Sequence, residues 1–457
     1  MSKDYLPVYW LSSLGFGGLM ITFFLLLQFN VPHPQSPIPL ANDISKFLDM
    51  EDAQLEKVAI GMLTKKASKK IKKQLHLEVL SKEKRLEIKQ QVSKNTNKIE
   101  KIVSNLRVQQ IVTYVGLIGV VFSILMFFKL LFWNIIKYAK YTKTDSYKNI
   151  KNSLAEVKLM AVPLTLAMGV KVILLGGALF IDGWFTATIG WIAFGSYILV
   201  GAYAMYLFSN YFSNILDKGN EDFVNNNSLE QMLSIFTFSF ISVGLIGPAA
   251  FFSDPVLAKW SFVVALSFGT IALFIAYIKF SNSIAPILIK GLTASSSVSL
   301  LILIPILTLF GVWGVLRMDH ALHHAFHSGL GSTLVFVMLT AIFALQSVIF
   351  LIGIKSMRNK RYFSKFIYGK NEHDPAAYAI ICPLVAFYVW GMFWLHAGLV
   401  KSGFLDKWGI AYVILFASFS VIQVFTVFLY MKLNKKLLGS FLSLKRINLK
   451  PVRLDTI

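Results

Sequence analysis

Cysteine is almost missing from this chain of 457 residues. The single residue, Cys382, excludes an intramolecular disulfide and any metal site built from several thiolates. Charge is also scarce, with Asp, Glu, Lys and Arg making up 15% against 56% apolar residues and 14% aromatics. So little charge cannot cover a water-exposed globular surface, and a bilayer must serve as the solvent instead. Catalytic motifs are missing too: no P-loop, no dinucleotide fingerprint and no nucleophile elbow occurs, and no enzymatic activity is expected. The formal net charge of +22 lies largely in loops beside apolar runs, where Lys and Arg set orientation and meet headgroups, so a nucleic-acid partner is not expected.

What is present is a series of apolar runs of about 20 residues or more, the length that crosses roughly 30 Å of hydrocarbon as a helix. Ten spans are expected, near residues 8–29, 109–133, 159–181, 185–211, 230–252, 258–280, 291–316, 331–354, 376–399 and 408–431. No small-x-small cleavage site follows the first run, so it reads as a retained span. Ten spans put both termini on one side. The connections after spans 2, 6 and 8 and the tail 436–457 are rich in Lys and Arg, which places them and the termini in the cytoplasm of a bacterial inner membrane. The acidic link from Asp217 to Glu230 runs against this pattern without reversing it.

The chain thus divides into a first transmembrane helix over 1–30, an extracytoplasmic charged insert over 31–107, transmembrane helices 2–10 over 108–435, and the basic cytoplasmic tail 436–457. The insert opens on Pro32, Pro34, Pro37 and Pro39, and its apolar residues Leu75, Val79, Leu86, Val92, Ile99, Ile102 and Leu106 recur at roughly helical spacing. One or two amphipathic helices over the outer face, or a docking module for a partner or anionic lipid, are its two readings.

Proline is confined to alternate spans. Pro163, Pro248, Pro305 and Pro383 fall in spans 3, 5, 7 and 9, and span 1 has Gly15, Gly17 and Gly18 instead. A proline within a span removes a backbone donor, which is tolerated against neighbouring helices or a water-filled cavity. The pattern predicts five repeated hairpins, with kinked odd members inside and straight even members facing lipid. Hydroxyls follow the same division: Ser12 and Ser13, then Thr165, then Ser239 and Ser242, then Ser295, Ser296 and Ser299. They are the expected lining of a polar path.

Ten spans with proline-bearing odd helices and aromatic-rich surroundings resemble the tellurite-resistance and dicarboxylate transporter family, that of TehA-like channels and plant slow-type anion channels. The local echo is Ala376-Ala377-Tyr378-Ala379-Ile380-Ile381-Cys382-Pro383-Leu384, similar to the family's aromatic-rich entry into a kink. The resemblance implies an all-α membrane fold of ten helices as five pseudo-repeated hairpins around a central pore, a homotrimer, and a phenylalanine gate in the ninth helix. This sequence has Cys382 before the proline, so Phe387 is the nearest aromatic beyond it and takes the gate role. The insert after helix 1 is foreign to that pattern.

Lys171 is the one formal charge expected deep in a span, where an unhydrated, unpaired charge costs several kcal/mol. It is the expected anion attractor; its alternative role is bonding to carbonyls released at a kink. No Asp or Glu falls in a span centre, which argues against a carboxylate proton relay or sodium site. The expectation is passive or weakly coupled transport of a small anion through the odd helices, without a cofactor. The rival is a membrane-anchored metal or redox protein. Its basis is His320, His323, His324 and His327, which on a helix could hold Zn or Cu beside Asp319.

Overall fold

The computed structural model describes residues 5–33, 38–74, 88–90, 92, 96–151, 153–218, 229–252, 254–294, 296–326, 329–369 and 374–439. Among them every regular element is helical. Ten helices are long and apolar enough to cross a membrane: Pro7–Asn30, Asn97–Tyr141, Ala155–Phe180, Ala187–Asp217, Leu233–Phe251, Pro255–Ser281, Ser296–Leu322, Ser332–Asn359, Pro375–Val400 and Ile410–Leu438, here spans 1 to 10. The chain is a multi-pass membrane protein, because helices satisfy their own backbone groups where no water can do so. Span 2 runs well beyond its expected ends, as one helix from Thr96 to Tyr141.

The division between odd and even spans is visible in burial. In the odd spans 67 to 94% of the most apolar stretch is buried inside the protein, against 11 to 33% in the even spans. The even spans therefore present Ile, Leu, Val and Phe outward, as Leu199, Phe274, Leu351 and Val424 do. Such a face suits lipid chains as solvent.

Each odd span opens on a 3-10 segment, at Pro7–Tyr9, Leu154–Met160, Leu229–Met232, Ser296–Ile302 and Pro375–Ile380. Each segment touches the next in chain order, and the fifth touches the first, closing a ring. Prolines explain the change of helix type. The α-helical part begins at Ala161, Leu303 and Ile381 in spans 3, 7 and 9, so Pro163, Pro305 and Pro383 all stand at its third residue. There the missing N–H has no intrahelical partner to lose, and the turn before can tighten. These three prolines are thus junctions between helix types and not the mid-span kinks expected of them. Of the four, Pro248 alone lies inside a helix body.

Even spans hold the ring through buried polar side chains. Asn134 of span 2 accepts from Tyr5 at 3.1 Å and donates to Ser13 at 3.0 Å. Asn214 of span 4 donates to Glu156 at 3.1 Å, and Lys279 of span 6 donates to Gln231 at 2.7 Å. In span 10, Asn434 accepts from Tyr378 at 2.8 Å.

By contacts the chain forms two compact units, one of residues 1–22, 120–177 and 183–457, the other of residues 23–119 and 178–182. The second contains helices Ala41–Leu48 and Asp52–Gln74 and the first part of span 2, packed through Ile44, Phe47, Leu55, Ile99 and Leu106. Gln110 donates to the carbonyls of Phe47 and Met50, closing the end of the short helix. Arg107 pairs with Asp52 at its surface. Leu75, Val79 and Leu86, expected on a helical face, lie outside the described residues, as does the tail beyond Gly439.

Candidate functional site

Two cations lie in the interior of the larger unit, each against an aromatic ring of span 5. Lys171 stands on the α-helix of span 3, its ammonium 4.9 Å from the ring centre of Phe240 on span 5. Arg317 closes a π-helical turn, Val312–Arg317, near the end of span 7, its guanidinium 4.2 Å from the ring centre of Phe251, also on span 5. Spans 3 and 7 are not neighbours in the ring of segments, and both cations lie against rings of span 5, which stands between them. Among the described residues neither has a carboxylate or hydrogen-bonding partner beyond those ring faces.

Phe240 and Phe251 are separated by three helical turns, which sets them on one face of span 5. Gly247 lies on the same face and Gly314 one turn before Arg317. A side chain at either glycine would meet nothing within 4 Å. Both residues are half-buried, and they open on unfilled space. Lys171 and Arg317 are thus two part-accessible interior cations, with open space at Gly247 of span 5 and Gly314 of span 7. A buried cation without a neutralising group is unfavourable.

Arg317 escaped the sequence reading, which ended span 7 at 316 and counted the arginine with the histidine-rich loop. The π-helical turn carries the span on to Leu322 and keeps the residue inside. Lys279 and Glu156 were missed for a similar reason. They stand near helix ends, where charge is common, yet are only 1% and 3% exposed.

The described hydroxyls expected to line the path are buried and bonded within or between helices. Ser12 donates to the carbonyl of Tyr9, Ser13 accepts from Asn134, and Thr165 donates to the carbonyls of Ala161 and Trp10. Ser239 bonds its own helix at Ile235, and Ser242 faces outward to the Ala265 carbonyl of span 6. Ser296 and Ser299 bond within the turn that begins span 7. All are buried, so their bonding is structural. Ser295 lies outside the described residues. Phe387 points away from the cations, among Phe343 and Phe350 of span 8 and Phe419 of span 10, so its surroundings are those of an inter-helix packing residue rather than a gate.

Of the histidines, His320 is exposed and shares a cavity of about 250 Å³ with Asp319, Ser332, Lys401 and Ser402. Asp319 accepts there from the backbone of Leu330 at 2.8 Å. His327 lies outside the described residues, and of His323 and His324 only the helical backbone is described. Among the described residues no three of His, Cys, Asp and Glu gather as metal ligands would. His396 has both ring nitrogens engaged, with the Met392 carbonyl at 2.9 Å and the Tyr412 hydroxyl at 3.0 Å.

No protein-family model matches the chain, and no curated protein or solved structure matches it.

Proposed function

We propose that this protein moves a small anion across a membrane through the interior of five pseudo-repeated hairpins, with Lys171 and Arg317 as the charges that draw the anion in. The observation that carries the reading is the two interior cations from non-adjacent spans, set against rings on one face of span 5 without a counter-ion among the described residues. Two cations in a low-dielectric interior raise the affinity for an anion, and a ring face does not neutralise either charge. The closed ring of 3-10 segments supports the repeat, and the burial contrast supports odd spans as walls and even spans as the lipid face. The basic loops support cytoplasmic termini.

The test is anion flux into proteoliposomes made with the purified full-length chain. Flux should be present in the natural protein and fall about tenfold or more in Lys171→Gln and in Arg317→Gln, on the scale of losing one charged interaction. Absence of flux for every small anion tried, or full flux in both variants, would end this reading.

A further inference from the structure

The wall that leads away from Arg317 is hydrocarbon. Span 7 presents Leu300, Leu303, Leu307, Phe310, Gly314 and Arg317 at intervals of three and four residues, each partly accessible; between Leu300 and Arg317 only Ile302 and Leu316 besides them are not buried. Its flanks pack against spans 5 and 9 and its back against spans 6 and 8, so this stripe is the inward face. Phe251 continues the wall on span 5 beneath the guanidinium. The hydroxyls that could replace the water around a strongly hydrated ion are sealed: Ser12, Ser13, Thr165, Ser239, Ser242 and Thr308 are all between 0 and 5% exposed. Along this face of span 7, among the described residues, a solute meets hydrocarbon up to the Arg317 guanidinium.

Resting on the anion reading above, we propose that the site is built for an amphiphilic organic anion, a single carboxylate-like or sulfonate-like head on an apolar body. The head lies between Lys171 and Arg317, and the body along Leu303, Leu307 and Phe310. An ion with a full hydration shell gains the two charges but loses its water to a surface that offers no hydrogen bonds. An apolar tail gains from leaving water along the same surface, by an amount that grows with each methylene.

Alkanesulfonates separate charge from body, because they stay ionised and do not cross the bilayer as neutral acids. Uptake of hexanesulfonate and methanesulfonate is measured in proteoliposomes of the full-length chain against protein-free vesicles, with chloride in parallel. Hexanesulfonate should enter at least about tenfold more efficiently than methanesulfonate, as burial of a few methylenes implies. Phe310→Ser should bring the two together by lowering hexanesulfonate uptake alone, while Phe310→Leu should keep most of the preference. Equal uptake of the two sulfonates by the natural protein, or faster entry of methanesulfonate or chloride, overturns the apolar-body assignment and leaves anion transport standing. Failure of all three anions to enter sinks transport itself.

Discussion

Under the proposed reading, Arg317 and Lys171 set function against stability. Each is an interior cation set against an aromatic ring with no carboxylate partner among the described residues, an arrangement that folding alone does not favour. Lys171→Met should therefore abolish anion flux and also raise thermal stability in detergent, by about 1 kcal/mol, as removal of an uncompensated charge does. A fall in the unfolding midpoint would show that Lys171 has a structural partner instead. A second residue, Lys407, lies between spans 9 and 10, where burial pulls its ammonium down to about 8. In the unfolded chain a lysine titrates near 10.4. Between these two values the unfolded state binds more protons than the folded one, so stability should rise with pH from about 8 to about 10. Thermal unfolding across that range checks it, and Lys407→Met should flatten the rise. The residue scale also contains the plainest misreading of the sequence. A serine in an apolar run looks the same whether it faces a lumen or bonds its own helix, and here the bond to a carbonyl or to Asn134 wins.

Among helices, the deciding contacts are those that close the ring. Asn134 makes the densest set, accepting from Tyr5 and donating toward Ser13 and the carbonyl of Leu130, all buried. Asn134→Ala strands several of these groups and should cost about 2 to 3 kcal/mol, whereas Tyr378→Phe removes one hydrogen bond to Asn434 and should cost about 1. Unfolding midpoints of the two variants, read side by side, test the order. Glycine placement separates packing from path in the same way. A methyl group at Gly311 would collide with the indole of Trp390, which is itself held by a bond to the Leu339 carbonyl, so Gly311→Ala should destabilise by about 1 to 3 kcal/mol despite its better helix propensity. At Gly314 the space is open, and Gly314→Leu should fold normally but block flux, because its side chain fills that space beside Arg317. Thermal unfolding and proteoliposome flux on the same two variants read both effects.

Across the whole molecule, the sequence carried the ten spans, their order and the difference between odd and even members, because each rests on composition over a window of about 20 residues. Apolar length determines that a helix crosses, and the alternation of proline between spans is a property of the string of letters. Tertiary structure alone decided the rest. It turned three prolines from kinks into junctions after 3-10 segments, because the consequence of a missing N–H depends on where the helix begins. It put Phe387 among the outer helices and Arg317 inside, because a side chain's direction follows from helix phase, and a π-helical turn shifts that phase without leaving a mark in composition. Lys171 was legible as a deep charge and Arg317 was not. Only the packing of spans 3, 5 and 7 sets both against rings on one face of span 5, so the ten helices were legible and that arrangement was not.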